Sequence, residues 1–152
     1  MQDRPTADEL LAAIEGFLEH DILPTVDGAT QFHARVALAA LRIIRRELAL
    51  EDTQLEAELA GLAAVLGLPG ATEAGPPPEE RRRLIVARTE TLCDRIREGH
   101  ADSGPLRAAV LAHIRATVRS KLEVSNPRWL AGSSLPYPRN PSRRRHARLT
   151  RR

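Results

Sequence analysis

Apolar side chains recur along this chain every three or four residues, the period of one face of an α-helix. Leu10, Leu11, Ile14, Phe17 and Leu18 form the first stripe. It lies between a Thr6–Glu9 pair at capping-box spacing and Pro24, which predicts helix one over about 7–21. After the turn-like Asp27–Gly28 pair, Phe32, Val36, Ala40 and Ile43, with Leu41, Ile44 and Leu48 on an adjoining strip, predict a central helix two reaching about Leu50. Asp52 or Thr53 offers a cap for a shorter helix three, with Leu55, Leu59, Leu62, Val65 and Leu66 facing inward and Gly67 and Pro69 ending it.

Residues 67–78 hold three glycines and four prolines in twelve positions, the composition of an exposed loop whose length can vary without harm to the fold. Glu79 and Glu80 then suit the positive end of helix four, whose buried stripe is Ile85, Leu92 and Ile96, with Cys93 beside it and Gly99 at its end. Ser103 and Pro105 open helix five, which carries Leu106, Val110, Leu111, Ile114, Val118 and Leu122 and must stop before Pro127. The expected fold is all-α: a compact bundle of about five helices, mostly antiparallel, over residues 1–130. Residues 131–152, rich in Arg and Pro and without apolar period, are expected to be a disordered tail.

Composition sharpens this picture. Only Phe17, Phe32, Trp129 and Tyr137 are aromatic, so a core drawn from the 42% apolar residues must be Leu, Ile, Val and Ala. Cys93 is the single cysteine, which excludes an internal disulfide framework and fits a reducing compartment. The N-terminus has no apolar signal core, and no run reaches the roughly 18 apolar residues of a membrane helix, so a cytoplasmic location with no membrane partner is expected. Charge is divided unevenly: residues 1–127 hold 15 basic and 20 acidic groups, whereas residues 128–152 hold eight Arg and no acid. The basic tail lacks interleaved aromatics for base stacking, and the acidic body opposes a broad phosphate-binding face, which weighs against nucleic acid as a partner.

No arrangement of side chains announces catalysis. Cys93 has no His within helical reach, no serine sits on a strained elbow, and the glycines of the 67–75 region lead into prolines rather than a Lys-Ser/Thr helix start. His33 and His113 lack a third ligand at fixed spacing, so no metal and no cofactor is expected. The best polar constellation is His113, Thr117 and Lys121, spaced by four and four on helix five, with Arg115 in a second row and Asn126 and Arg128 at the helix end. These groups could meet an anion such as a phosphate, although simple solvation of a helix face explains them as well. Arg42 and Arg46 on helix two have carboxylates within reach on a neighbouring helix or a partner as their natural mates.

Three blocks, RPTADELLAAIEGFLEHDILP, FHARVALAALRIIRREL and HIRATVRSKLEVSNPRWL, resemble a family of small bacterial proteins of unknown function. Its members accompany aminoglycoside-phosphotransferase-like kinases and acyl-CoA dehydrogenases, and the resemblance covers about residues 2–130. It implies a non-catalytic subunit needed by a partner kinase that phosphorylates a hydroxyacyl-CoA, with the ATP site on the partner. The positions matching the family pattern include His33, Arg35 and Arg46, and at the far end His113, Arg115, Thr117, Lys121 and Asn126. Relatives often carry Asn near Ala39, which this chain lacks. A different class of function stands beside this one: a stand-alone helical binding protein for coenzyme A thioesters or another anionic ligand.

Overall fold

A computed structural model describes residues 4–69 and 75–131. Among them every regular element is helical: α1 (Ala7–Phe17), a π-helical turn (Leu18–Ile22), α2 (Gly28–Leu66), α3 (Pro78–Arg97), α4 (Gly104–Ser125) and a 3-10 turn (Pro127–Trp129). The capping box of α1 forms as its spacing predicts, with Thr6 Oγ1 accepting from Glu9 N–H and the Glu9 carboxylate accepting from Thr6 N–H. The disorder expected for the tail lies outside the described residues.

The five expected helices are four, because helices two and three are a single helix. Asp52 and Thr53 act as caps only if the chain turns there, and nothing between Ala29 and Ala60 is a Gly or Pro that would make it turn. The apolar stripe also stays in phase across the supposed break, since Leu48 and Leu55 are two turns apart. Helix α2 therefore runs about 58 Å and ends where Gly67 adopts φ +69, the left-handed cap that a side chain would resist.

Each of the other helices packs on α2. Contacts of Arg45 with Asp8, of Arg42 with Glu15 and Glu19, and of Gln31 with the Leu23 carbonyl step in opposite senses along the two chains, so α1 is antiparallel to α2. Helix α4 is antiparallel too, its Val124 and Ser120 carbonyls accepting from Arg46 and Gln54. Helix α3 departs from the expected arrangement and lies parallel to α2: Arg82 pairs with Glu51, Arg88 reaches the Leu59 carbonyl and Arg95 the Leu66 carbonyl. A parallel neighbour needs a return connection. Pro78 lies level with about residue 48, so residues 67–77 must carry the chain back about 27 Å, which sets a minimum of about seven or eight residues for the connection.

The core is confined to the three-helix end. Leu62, only 1% exposed, packs with Val65, Leu66, Leu92 of α3 and Val110 of α4, and Ile85, Ala101 and Leu106 border them. The N-terminal half of α2 is different. Leu38 is buried there, but Phe32, Val36, Ile44 and Leu48, expected inside, are exposed, as are Leu10, Ile14 and Phe17 of α1. The expected compact bundle is thus an elongated one that leaves much apolar surface bare at this end, and Ile96 of α3 and Leu111, Ile114 and Val118 of α4, also expected inside, are exposed too.

Candidate functional site

The stripe of α2 explains that bare surface. Its C-terminal part, Leu59, Leu62 and Leu66, is buried, the last two packed with Leu92 of α3 and Val110 of α4, whereas the same stripe continues through Ala37, Leu41, Ile44 and Leu48 beyond the point where α3 begins. Leu48 remains 56% exposed and Ile44 44%. Helix α1 covers one flank only. Its Asp8, Glu15 and Glu19 meet Arg42 and Arg45 on one side of the helix pair. With about 100° between successive residues, Leu10, Ile14 and Phe17 fall on the side of α1 away from those carboxylates, and all three are exposed. Two apolar stripes are therefore exposed, Leu10, Ile14 and Phe17 on α1 and Ile44 and Leu48 on α2, and Asp21 and Glu47 are exposed as well.

Electrostatics fix α1 in that position. The Glu15 side chain is mostly enclosed and accepts from Arg42 Nε and Arg45 Nη1, each at 2.7 Å. These bonds, Arg42's first, hold its carboxyl below the usual carboxylate range, and Arg45 does the same for Asp8. In return Glu15 and then Glu19 hold Arg42 more firmly protonated, and Asp8 and Glu15 do so for Arg45.

On the opposite side of α2, the last turn of α4 and the 3-10 turn close a cleft of about 470 Å³. Its lining includes Arg35, Arg42, Arg46, Asn126 and Arg128 over a floor of Leu38, Ala39 and Ile43, with no carboxylate among the lining residues. Arg46 is oriented by donating from Nε to the Val124 carbonyl at 2.6 Å.

Helix α4 meets α2 along small residues, Ala57, Gly61 and Ala64 against Ala109, Ala112 and Ala116, leaving a groove of about 390 Å³ that His113 and Thr117 also line. The His113 ring lies so close to Gly61 that a Cβ there would be 2.7 Å from Nδ1. A family described as a domain of unknown function (DUF6285) matches residues 24–129. This chain belongs to that family. The DUF6285 region begins at Pro24, so it takes in α2, α3 and α4 but not α1, a narrower span than the resemblance over residues 2–130. Among curated proteins and among solved structures none matches the chain.

Within the DUF6285 domain the residues singled out from sequence do not form one site. Arg35, Arg46, Asn126 and Arg128 meet in the basic cleft, although they come from segments about eighty residues apart. His113 and Thr117 face the small-residue groove, and Lys121 borders a third depression with Glu47, Glu51 and Glu58. Arg115 is exposed elsewhere on α4, and exposed His33 sits edge-on to Phe32 with ring centroids 5.6 Å apart. His33 and His113 lie at opposite halves of α2. Among the described residues no group of three or more His, Cys, Asp or Glu is placed to hold a metal ion, and no helix is long and apolar enough to cross a membrane. Sequence periodicity missed the bare face because it marks apolar residues without saying which of them find a neighbour. The available signal was length: the stripe from Ala37 to Leu66 spans 30 residues, about one and a half times the 20 of α3.

Proposed function

We propose that this chain is a non-catalytic accessory subunit that docks on a phosphotransferase-family kinase acting on hydroxyacyl-CoA. The observation that carries the docking role is the exposure of large apolar side chains, Ile44 and Leu48 on α2 beyond the start of α3 and Leu10, Ile14 and Phe17 on α1. Large apolar side chains left exposed at helical spacing are the mark of an interaction site. The part of α2 from Ala37 to Leu48 offers about 18 Å, room for a helix of three turns in line with α3. The exposed Asp21 and Glu47 suit basic side chains on such a partner. The identity of the partner rests on the sequence resemblance alone.

The experiment is co-expression with the phosphotransferase-like protein, followed by size-exclusion chromatography and ATP consumption on hydroxyacyl-CoA with each protein alone and together. Co-elution, with turnover only in the mixture, is the expected result. Separate peaks and kinase activity indifferent to this chain would overturn the reading. A stable dimer of this chain alone that leaves no apolar face for the kinase would overturn it as well.

A further inference from the structure

The anion-binding groups expected from sequence are His113, Thr117 and Lys121 on one side of α4, with Arg115 in a second row and Asn126 and Arg128 at the helix end. Of these, His113 and Thr117 line one depression, Lys121 borders another among Glu47, Glu51 and Glu58, and only Asn126 and Arg128 reach the basic cleft. The structure assembles a different set. Arg35, Arg42 and Arg46 stand in one row along α2, seven and four residues apart, and Arg128 and Asn126 face them across the cleft. The chain from residue 1 to 127 has five more acidic than basic groups, yet no carboxylate is among the residues lining this cleft. Glu15 and Glu19 reach Arg42 from α1, so its charge is largely matched. Among the described residues Arg35 makes no ion pair, and Arg46 makes none either: its one bond directs Nε to the Val124 carbonyl, a single donor of the five on a guanidinium.

We infer that this cleft is a binding site for a small molecule bearing a diphosphate. The row from Arg35 to Arg46 extends about 16 Å along α2, too far for one phosphate to engage it and suited to two linked phosphates with an organic group resting on Leu38, Ala39 and Ile43. A cleft of about 470 Å³ is within the range of small-molecule sites. Ala39 keeps the floor low between the arginines, where a larger side chain would fill the space. The cleft lies on the side of α2 away from the bare apolar face, so this binding does not depend on the docking role.

Calorimetry on the full chain, at fixed ionic strength, tests the site with inorganic pyrophosphate, ADP and inorganic phosphate as probes. Pyrophosphate and ADP should bind about tenfold or more tightly than phosphate, because two forks engage instead of one. Arg35→Gln, at an exposed position that carries no fold contact, should weaken ADP about tenfold, whereas the exposed Arg115→Gln outside the cleft should leave it unchanged. The tail variant R143Q/R144Q/R145Q controls for diffuse attraction and should also bind as the parent does. Absence of ADP binding, equal losses for R35Q and R115Q, or loss with the tail variant alone would each overturn the assignment.

Discussion

Replacing Gly61 with Ala probes the closest approach of α2 and α4. An ideal Cβ at position 61 would lie 2.7 Å from Nδ1 and 3.2 Å from Cε1 of His113, and the first distance is shorter than real Cβ contacts. In an unobstructed helix the substitution stabilises by about 0.5–1 kcal/mol, since Ala loses less backbone freedom on folding than Gly. Here the imidazole must swing aside or the two helices must part, and overpacking of this kind costs about 1–3 kcal/mol. The steric term is the larger, leaving a net loss of about 1 kcal/mol for G61A. His113→Ala removes the obstructing ring, so in that background the same Gly61→Ala change should stabilise. Urea unfolding of the parent, the two single variants and the double variant measures the coupling directly, with an expected interaction of about 1–3 kcal/mol. Equal stabilisation by G61A with and without the ring would refute the reasoning and mean that His113 does not press on α2.

Four further outcomes follow from the same contacts. Leu62→Ala, at the most enclosed core position, should cost about 3 kcal/mol in urea unfolding, and a loss below about 1 kcal/mol would contradict a core centred there. The Glu15 and Asp8 carboxyls are held below their ordinary values, so their contribution is present above about pH 4 and fades as pH falls through the lowered values; the protection of α1 amides, taken relative to their intrinsic exchange at each pH, should fall on acidification before that of Leu59–Leu66. Uniform exchange of α1 relative to the core down to pH 3 would count against the ion pairs as its tether. Deleting residues 70–75 leaves a connection that spans at most about 21 Å, too short for the return of about 27 Å, and should abolish cooperative unfolding, whereas native-like unfolding would contradict the parallel placement of α3. Ile44→Lys with Leu48→Lys should change stability by about 0.5 kcal/mol or less yet abolish co-elution with the kinase, and a complex that survives the pair would place docking elsewhere.

Local signals in the sequence were dependable where the chemistry is local. The Thr6–Glu9 box, the Gly67 cap and the ends of α3 and α4 near Gly99 and Pro127 are set by neighbours within one turn. Asp52 and Thr53 misled for the opposite reason: a capping side chain permits a helix start but does not compel one when the surrounding Leu, Ala and Glu favour continuing. The direction of α3 was hidden because a loop of glycines and prolines reads alike whether it turns the chain or returns it. The candidate site was legible only in part. Arg35, Arg46, Asn126 and Arg128 were singled out individually, but their meeting depends on α4 being long enough to bring its end beside the middle of α2, which no spacing along the chain encodes. The bare face escaped notice because periodicity cannot separate an apolar stripe that meets α3 from its continuation that meets nothing.

The proposed docking brings a partner helix onto the exposed apolar residues of α1 and α2. Hydrogen exchange by mass spectrometry, on the chain alone and with the phosphotransferase-like protein, tests it most directly. Strong new protection over residues 10–17 and 37–48, with α3 and the outer face of α4 unchanged, is the predicted result. Protection confined to other segments, or none in a mixture at micromolar concentration, would contradict it.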